Sequence, residues 1–214
     1  MNTIKAPPVT AEGKQHEVQS VRKVNAGELR EVAAVLARAF YDDPPMRWVL
    51  PDDGRRLMLA ERFFHFFLRK LWFHQNECLT TAGQAGAAVW LPPGGWEVSA
   101  FRQILLLPGM AMTLGRSLGP TLRAIAAMES NHPKDHHFYL PFAGVDPEWQ
   151  GKGIGSALLA PVLQRCYEEC IPAYLEASSP INRRLYERHG FEVTEEFTLG
   201  KGSPPLWRMW REPK

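Results

Sequence analysis

The segment that most constrains this chain runs from residue 138 to residue 170. Phe138–Val145 carries aromatic and aliphatic side chains almost throughout and reads as a strand. Asp146-Pro147-Glu148-Trp149 turns the chain, and Gln150-Gly151-Lys152-Gly153-Ile154-Gly155-Ser156 follows. From there Gly153–Cys170 has helical spacing, with Leu158, Leu159, Val162, Leu163 and Cys166 on one face, although Pro161 is expected to kink it or remove a hydrogen bond. A glycine-rich turn that opens a helix gathers free backbone N–H groups at the positive end of the helix dipole. The result is an anion site suited to a pyrophosphate. Glycine also lets the backbone approach phosphate oxygens without an intervening Cβ.

Three phosphate loops compete for these residues. A dinucleotide fingerprint G-x-G-x-x-G needs glycine at position 156, where Ser156 stands. A Walker A loop needs Ser or Thr after Gly151-Lys152, but Gly153 follows, and the upstream glycine is missing. The third pattern is Gln or Arg, two variable residues, Gly, one variable residue, then Gly or Ala. Gln150, Gly153 and Gly155 satisfy each of its fixed positions. On these residues alone, a glycine turn with no ligand stays open as the alternative.

Around this unit the order of elements points to an α/β fold. Val21–Val24 alternates like a first strand. Asn25 and Glu28 have the spacing of a capping box ahead of Leu29, Val32, Ala33, Leu36, Ala39 and Phe40, which repeat at helical spacing. Gly54–Phe73 is a second helical stretch, rich in phenylalanine and apolar nearly all round, so it should be buried on several sides or line a pocket. Cys78–Thr81 and Ala85–Leu91 form a hairpin around Gly83, and residues 96–130 are helical in tone with breaks at Pro108-Gly109 and Gly119-Pro120. Ala173–Ala177 is a short strand. Ser179 caps a helix with Pro180 at its first position and Gly190 past its end, and Phe191–Phe197 and Leu206–Trp210 are the last two strands.

Composition removes several function classes. The formal charge is +2 with no run of consecutive Lys and Arg, so no nucleic-acid partner is expected. Residues 1–19 are polar, contain Pro7, Pro8 and Gly13, and read as a flexible tail without the apolar core of a signal peptide or anchor. Ile104–Gly115 is the most apolar long stretch, but Pro108 interrupts it and it falls short of the ~18–20 residues that span a bilayer. No membrane partner is expected on that ground. Cys78, Cys166 and Cys170 make neither a disulfide framework nor a zinc site, which points to no metal and to a cytoplasmic location. One domain, residues 20–214, accounts for the rest, as a monomer or homodimer.

The flanks of the loop carry a resemblance. Ala143-Gly144-Val145-Asp146-Pro147 before it, and Glu176-Ala177-Ser178-Ser179-Pro180-Ile181-Asn182 with Leu185-Tyr186-Glu187-Arg188-His189-Gly190-Phe191 after it, resemble the GNAT superfamily of N-acetyltransferases. Across residues 131–197 the nearest likeness is to puromycin N-acetyltransferase and its bacterial relatives, whereas the first 130 residues match only in layout. The resemblance implies a mixed, twisted sheet of six or seven strands whose central parallel strands splay apart, with Pro141 marking the splay. It implies acetyl-CoA as co-substrate, its pantetheine on the backbone of Ala143, Gly144 and Val145 and near Asn182. The pyrophosphate would sit on Gln150, Gly151, Lys152, Gly153, Ile154, Gly155 and Ser156. It further implies Tyr186 as the proton donor to the leaving thiolate. Glu129 and His137, with His136 beside them, are the candidate bases. Residues 54–73 and the insertion 96–130 would shape the pocket for a primary amine of a small molecule, antibiotic-like or aromatic. Acetylation of a protein or peptide amine, or a non-catalytic CoA-binding sensor, are the other classes open to the same residues.

Overall fold

The computed structural model describes residues 20–214; the tail expected over residues 1–19 lies outside them. Seven strands form one sheet in the order β1-β2-β3-β4-β5-β7-β6: β1 Val21–Lys23, β2 Cys78–Thr81, β3 Gly86–Leu91, β4 Phe138–Val145, β5 Ala173–Ala177, β6 Glu192–Thr198 and β7 Pro205–Arg211. All neighbours are antiparallel except β4 and β5, which run parallel with a helix between them in the chain. That crossover is the βαβ unit read from residues 138–177.

The sheet is buried on both faces, and the alternation of β3 shows how. Ala87, Val89 and Leu91 join one apolar cluster, while Ala88 and Trp90 join the other. The first cluster packs under α1 (Leu29–Ala39), α2 (Pro44–Val49) and α3 (Asp53–Phe67). Asn25 N–H donates to the Glu28 carboxylate at 3.0 Å just ahead of α1, as the expected capping box requires. The second cluster packs under α6 (Ile154–Glu168) and α7 (Pro180–Arg188).

Two expectations are corrected. The apolar helix over residues 96–130 does not break at either proline. α4 (Ala100–Leu114) runs through Pro108, a 3-10 turn at Gly115–Ser117 makes the break, and α5 (Leu118–Asn131) takes Gly119-Pro120 into its first turn, where a missing N–H costs no internal bond. α6 continues through Pro161, on its exposed side, with that proline's N–H missing from the ladder. The aromatic stretch after Gly54 is not one α-helix. It ends at Phe67, passes into a π-turn at Leu68–Trp72 and closes with a 3-10 turn at Phe73–Gln75.

Candidate active site at the strand fork

β4 and β5 pair only at Phe138↔Ala173, Tyr139↔Tyr174 and Leu140↔Leu175. Beyond Leu140, β4 stays with β3 as far as Val145↔Gly86, while β5 stays with β7 as far as Ala177↔Trp207. A fork therefore opens in the middle of the sheet at Pro141. The register between β3 and β4 slips between Val89 and Leu91, so that Leu140 and Pro141 together face Trp90. That is a β-bulge on the strand whose proline has no N–H for a ladder. Below the fork, Tyr139 Oη donates to the Glu176 carboxylate at 2.9 Å, and burial pushes Glu176 up to about 7.

A groove of about 550 Å³ follows the open edge of β4. Ala143, Gly144, Val145, Gln150, Gly151, Gly153, Ile154, Gly155, Ser156, Asn182 and Tyr186 all line it. Gly151 and Gly153 have φ of +75° and +81°, and Gly153 is the residue from which α6 departs. These conformations are unfavourable for L side chains, and the N-terminus of α6 borders the groove through Gly153, Ile154, Gly155 and Ser156. Gln150 Nε2 donates to Val145 O at 3.1 Å and ties the loop to the end of β4. Lys152 Nζ donates to Glu148 O at 3.2 Å and lies 4.3 Å from the Trp149 ring centre. Gly144 is needed for close approach, since a Cβ there would stand 2.7 Å from Ala39 Cβ of α1. Among the groove residues that the sequence did not single out are two cations from α7, Arg184 and Arg188.

A second cavity, of about 230 Å³, lies between the fork and the helices α2, α3 and α5. Phe63, Phe67, Trp72, Trp96 and Phe142 form aromatic walls, and α5 contributes Thr121, Ala124, Ile125, Met128 and Glu129. The expectation that residues 54–73 and 96–130 border one pocket rests on the same side chains. His132 closes one side, its ring 3.9 Å from that of Trp96. Burial, then the neighbouring His137, holds His132 down to about 3, so it is neutral near pH 7.

Phe40 and Asp43 border both the groove and this cavity. Asp43 is the N-cap of α2: its carboxylate accepts from Met46 N at 3.3 Å and from the hydroxyl of Ser178 at the end of β5. Asn182 Nδ2 in turn donates to Ser178 Oγ at 3.2 Å. Burial pushes Asp43 up to about 6 against the opposing hydrogen bonds. Tyr186 is 7% exposed, with its ring edge-to-face on Phe191 at 6.0 Å. Burial, then the Asp43 carboxylate, pushes its phenol above the usual tyrosine range, so it stays protonated. The glycine-rich loop and the protonated phenol thus line one groove, and the carboxylate with raised proton affinity stands where that groove joins the aromatic cavity.

Of the two candidate bases, Glu129 borders the aromatic cavity and accepts from Gln103 Nε2 at 3.3 Å. His137 borders neither cavity. Its Nδ1 lies 2.6 Å from Asp135 O and its Nε2 3.0 Å from His132 Nε2, so both ring nitrogens are engaged. The carbonyl can only accept, so Nδ1 carries the proton and His132 donates to His137. Among the described residues no group of three or more His, Cys, Asp and Glu is placed to hold a metal ion.

The family model of the acetyltransferase (GNAT) domain matches residues 122–193, which contain the fork, the loop and α7. An uncharacterized N-acetyltransferase of Schizosaccharomyces pombe is 27% identical over 209 residues, covering 91% of this chain and 84% of its own. A solved structure titled histone acetyltransferase HPA2 and related acetyltransferase, from Corynebacterium glutamicum, matches at a TM-score of 0.69 and 25% identity over 91% of this chain and 96% of that one. Residues 122–193 thus resemble the GNAT acetyltransferase domain, and over most of its length the chain is similar to an N-acetyltransferase. Its fold is the GNAT fold, and it is shared at lower identity with arylalkylamine N-acetyltransferase 2 from Aedes aegypti: TM-score 0.64, 14% identity, 91% of this chain and 98% of that one. The likeness to relatives is at the level of the superfamily; none of these comparisons singles out puromycin N-acetyltransferase.

Proposed function

We propose that this GNAT domain transfers the acetyl group of acetyl-CoA to the primary amine of a small molecule with an apolar or aromatic body. The single observation that carries this reading is Asp43, a carboxylate with its affinity for a proton raised to about 6, at the junction of the loop groove and the aromatic cavity. In this reading the groove takes the co-substrate. Its pantetheine amides bond the open edge of β4 at Ala143, Gly144 and Val145, and its pyrophosphate meets the N–H groups from Gly151 to Ser156, with Arg184 and Arg188 nearby. The aromatic cavity takes the acceptor.

The amine arrives as an ammonium and gives one proton to the Asp43 carboxylate. The freed nitrogen attacks the thioester carbonyl carbon. The tetrahedral intermediate expels the thiolate as the C–S bond breaks, the Tyr186 phenol supplies the proton that thiolate takes up, and the second proton leaves the nitrogen as the amide forms and restores the phenol by way of solvent. The ammonium is held by Asp43 before transfer, and Ser178, positioned by Asn182, fixes the carboxylate. Glu129 faces the cavity from α5 and would act on the acceptor's far end.

Cavity size and lining favour arylalkylamines over larger acceptors, and the likeness in fold to an arylalkylamine N-acetyltransferase agrees with that. CoA release measured against arylalkylamines, agmatine, puromycin and a lysine-bearing peptide tests the reading. Arylalkylamines should give the highest kcat/KM. Turnover with no amine, or a clear preference for the peptide, would overturn it. Tyr186→Phe should lower kcat by about tenfold to a hundredfold and leave the KM for acetyl-CoA nearly unchanged; an unchanged kcat removes Tyr186 from the mechanism.

A further inference from the structure

The helix α4 is apolar on both sides. Met110 and Leu114 are buried against the domain, with Leu106 partly buried beside them. On the opposite face Phe101 is 72% exposed, Ile104 and Leu105 63% each, and Met112 86%. With Pro108 these five residues sit at i, i+3, i+4, i+7 and i+11, one continuous stripe. Scattered apolar residues on a surface need no explanation, but an aligned stripe on a helix that is apolar all round does. The charges around it are mostly basic, with Glu97 and Glu129, which accepts from Gln103 of α4, as the flanking acids. Residues 98–128 contain Arg102, Arg116 and Arg123 and not one Asp or Glu. All three arginines are exposed, and Arg102 Nη2 donates to the carbonyl of Lys70, which brings the exposed Arg69 and Lys70 to the same end of the helix.

We infer that α4 rests on an anionic lipid surface, with Phe101, Ile104, Leu105 and Met112 entering the interface and the arginines meeting lipid phosphates. No described helix is long and apolar enough to cross a membrane, and none needs to, because an interfacial helix requires only an apolar face with a basic rim. The expectation of no membrane partner, drawn from the shortness of Ile104–Gly115, therefore applies to spanning alone. A second copy of the chain fits this face less well. A two-fold interface sets the same patch against itself, and Arg69, Lys70, Arg102, Arg116 and Arg123 of one copy would then face those of the other, with only the flanking Glu97 and Glu129 to set against them. The masking of α4 by residues 1–19 is disfavoured by their sequence, which has no apolar run.

Co-sedimentation of the full chain with phosphatidylcholine vesicles, with and without phosphatidylglycerol, tests the inference. Binding should appear on vesicles that contain phosphatidylglycerol and weaken with added salt. Ile104→Glu with Leu105→Glu should weaken it by about tenfold or more through lost apolar burial. Arg102→Gln with Arg116→Gln and Arg123→Gln should remove the preference for anionic lipid. Both variants should keep the acetyl-CoA-induced thermal shift of the parent, which separates a failure of this inference from a failure of the acetyl-transfer reading. Absence of binding to anionic vesicles overturns the inference. So does binding that survives the double glutamate variant, or a concentration-dependent dimer in light scattering that the same variant abolishes.

Discussion

Asp43→Asn should lower kcat/KM by about a hundredfold to ten-thousandfold, the range over which positioned proton transfer contributes to catalysis. The effect should be largest for amines that are fully protonated at the assay pH. In the parent protein, kcat/KM should fall as pH drops through about 6, where Asp43 takes up a proton, and the variant should lack that limb. Stability should move the other way. The folded-state value of about 6 lies above the ordinary 3.8, so folding favours the protonated form. The stabilisation is fully present below the unfolded value and is lost as pH rises through the folded one. At neutral pH the ionised, half-buried carboxylate costs stability. Asn keeps the helix cap and can still accept from Ser178, so Asp43→Asn should raise stability near pH 7 by about 1–3 kcal/mol, with the gain vanishing below about pH 4. Denaturant titration at both pH values reads this. A variant that is inactive and also less stable at pH 7 would mean that Asp43 is a structural cap and nothing more.

The second large effect is at the loop. Gly153 holds φ at +81°, a conformation that costs an L residue about 1–2 kcal/mol. Gly153→Glu adds that strain and sets a carboxylate among N–H groups aimed at phosphates. Together these should weaken acetyl-CoA binding by about a hundredfold or more, equivalent to ~2.7 kcal/mol. Gly153→Ala carries the strain without the charge and should lose about tenfold. Calorimetric titration of acetyl-CoA into the parent and both variants measures the series. If acetyl-CoA neither binds the parent nor raises its Tm, the groove is not a co-substrate site.

The two sites differ in how far they could be read from the sequence, and the reason is distance along the chain. The loop is local. Gln150, Gly153 and Gly155 act through their own backbone, so spacing alone reports their role, and strand, turn and helix stand in order around them. The central strands were legible for a similar reason, since β2, β3, β4 and β5 each have their apolar pattern in their own residues. Asp43 is the opposite case. Its meaning comes from Ser178, 135 residues away, and from burial by helices that follow it. In the sequence it shows only as an N-cap before Pro44-Pro45. Arg184 and Arg188 read as the solvated side of α7 until the groove is seen to run past them. His137 shows the converse error: its residue type suits a base, but packing engages both ring nitrogens away from either cavity. The breaks expected at Pro108-Gly109 and Gly119-Pro120 do not form: Pro120 lies in a first turn, where a missing N–H costs no internal bond, and α4 runs through Pro108 although a proline there forgoes a bond of the ladder.

The fork at Pro141 also has a consequence for how the protein keeps to itself. Beyond Leu140 both central strands offer unpaired backbone in the middle of a sheet, the kind of edge onto which a foreign strand can add. Natural sheets guard such edges with bulges and prolines, and β4 carries both at the mouth of its opening. When the groove is empty, that mouth is the place where a neighbouring chain could insert. A co-substrate lying along β4 would occupy the same donors and acceptors, so cells rich in acetyl-CoA would hold this domain not only ready to react but also protected from strand exchange with its neighbours.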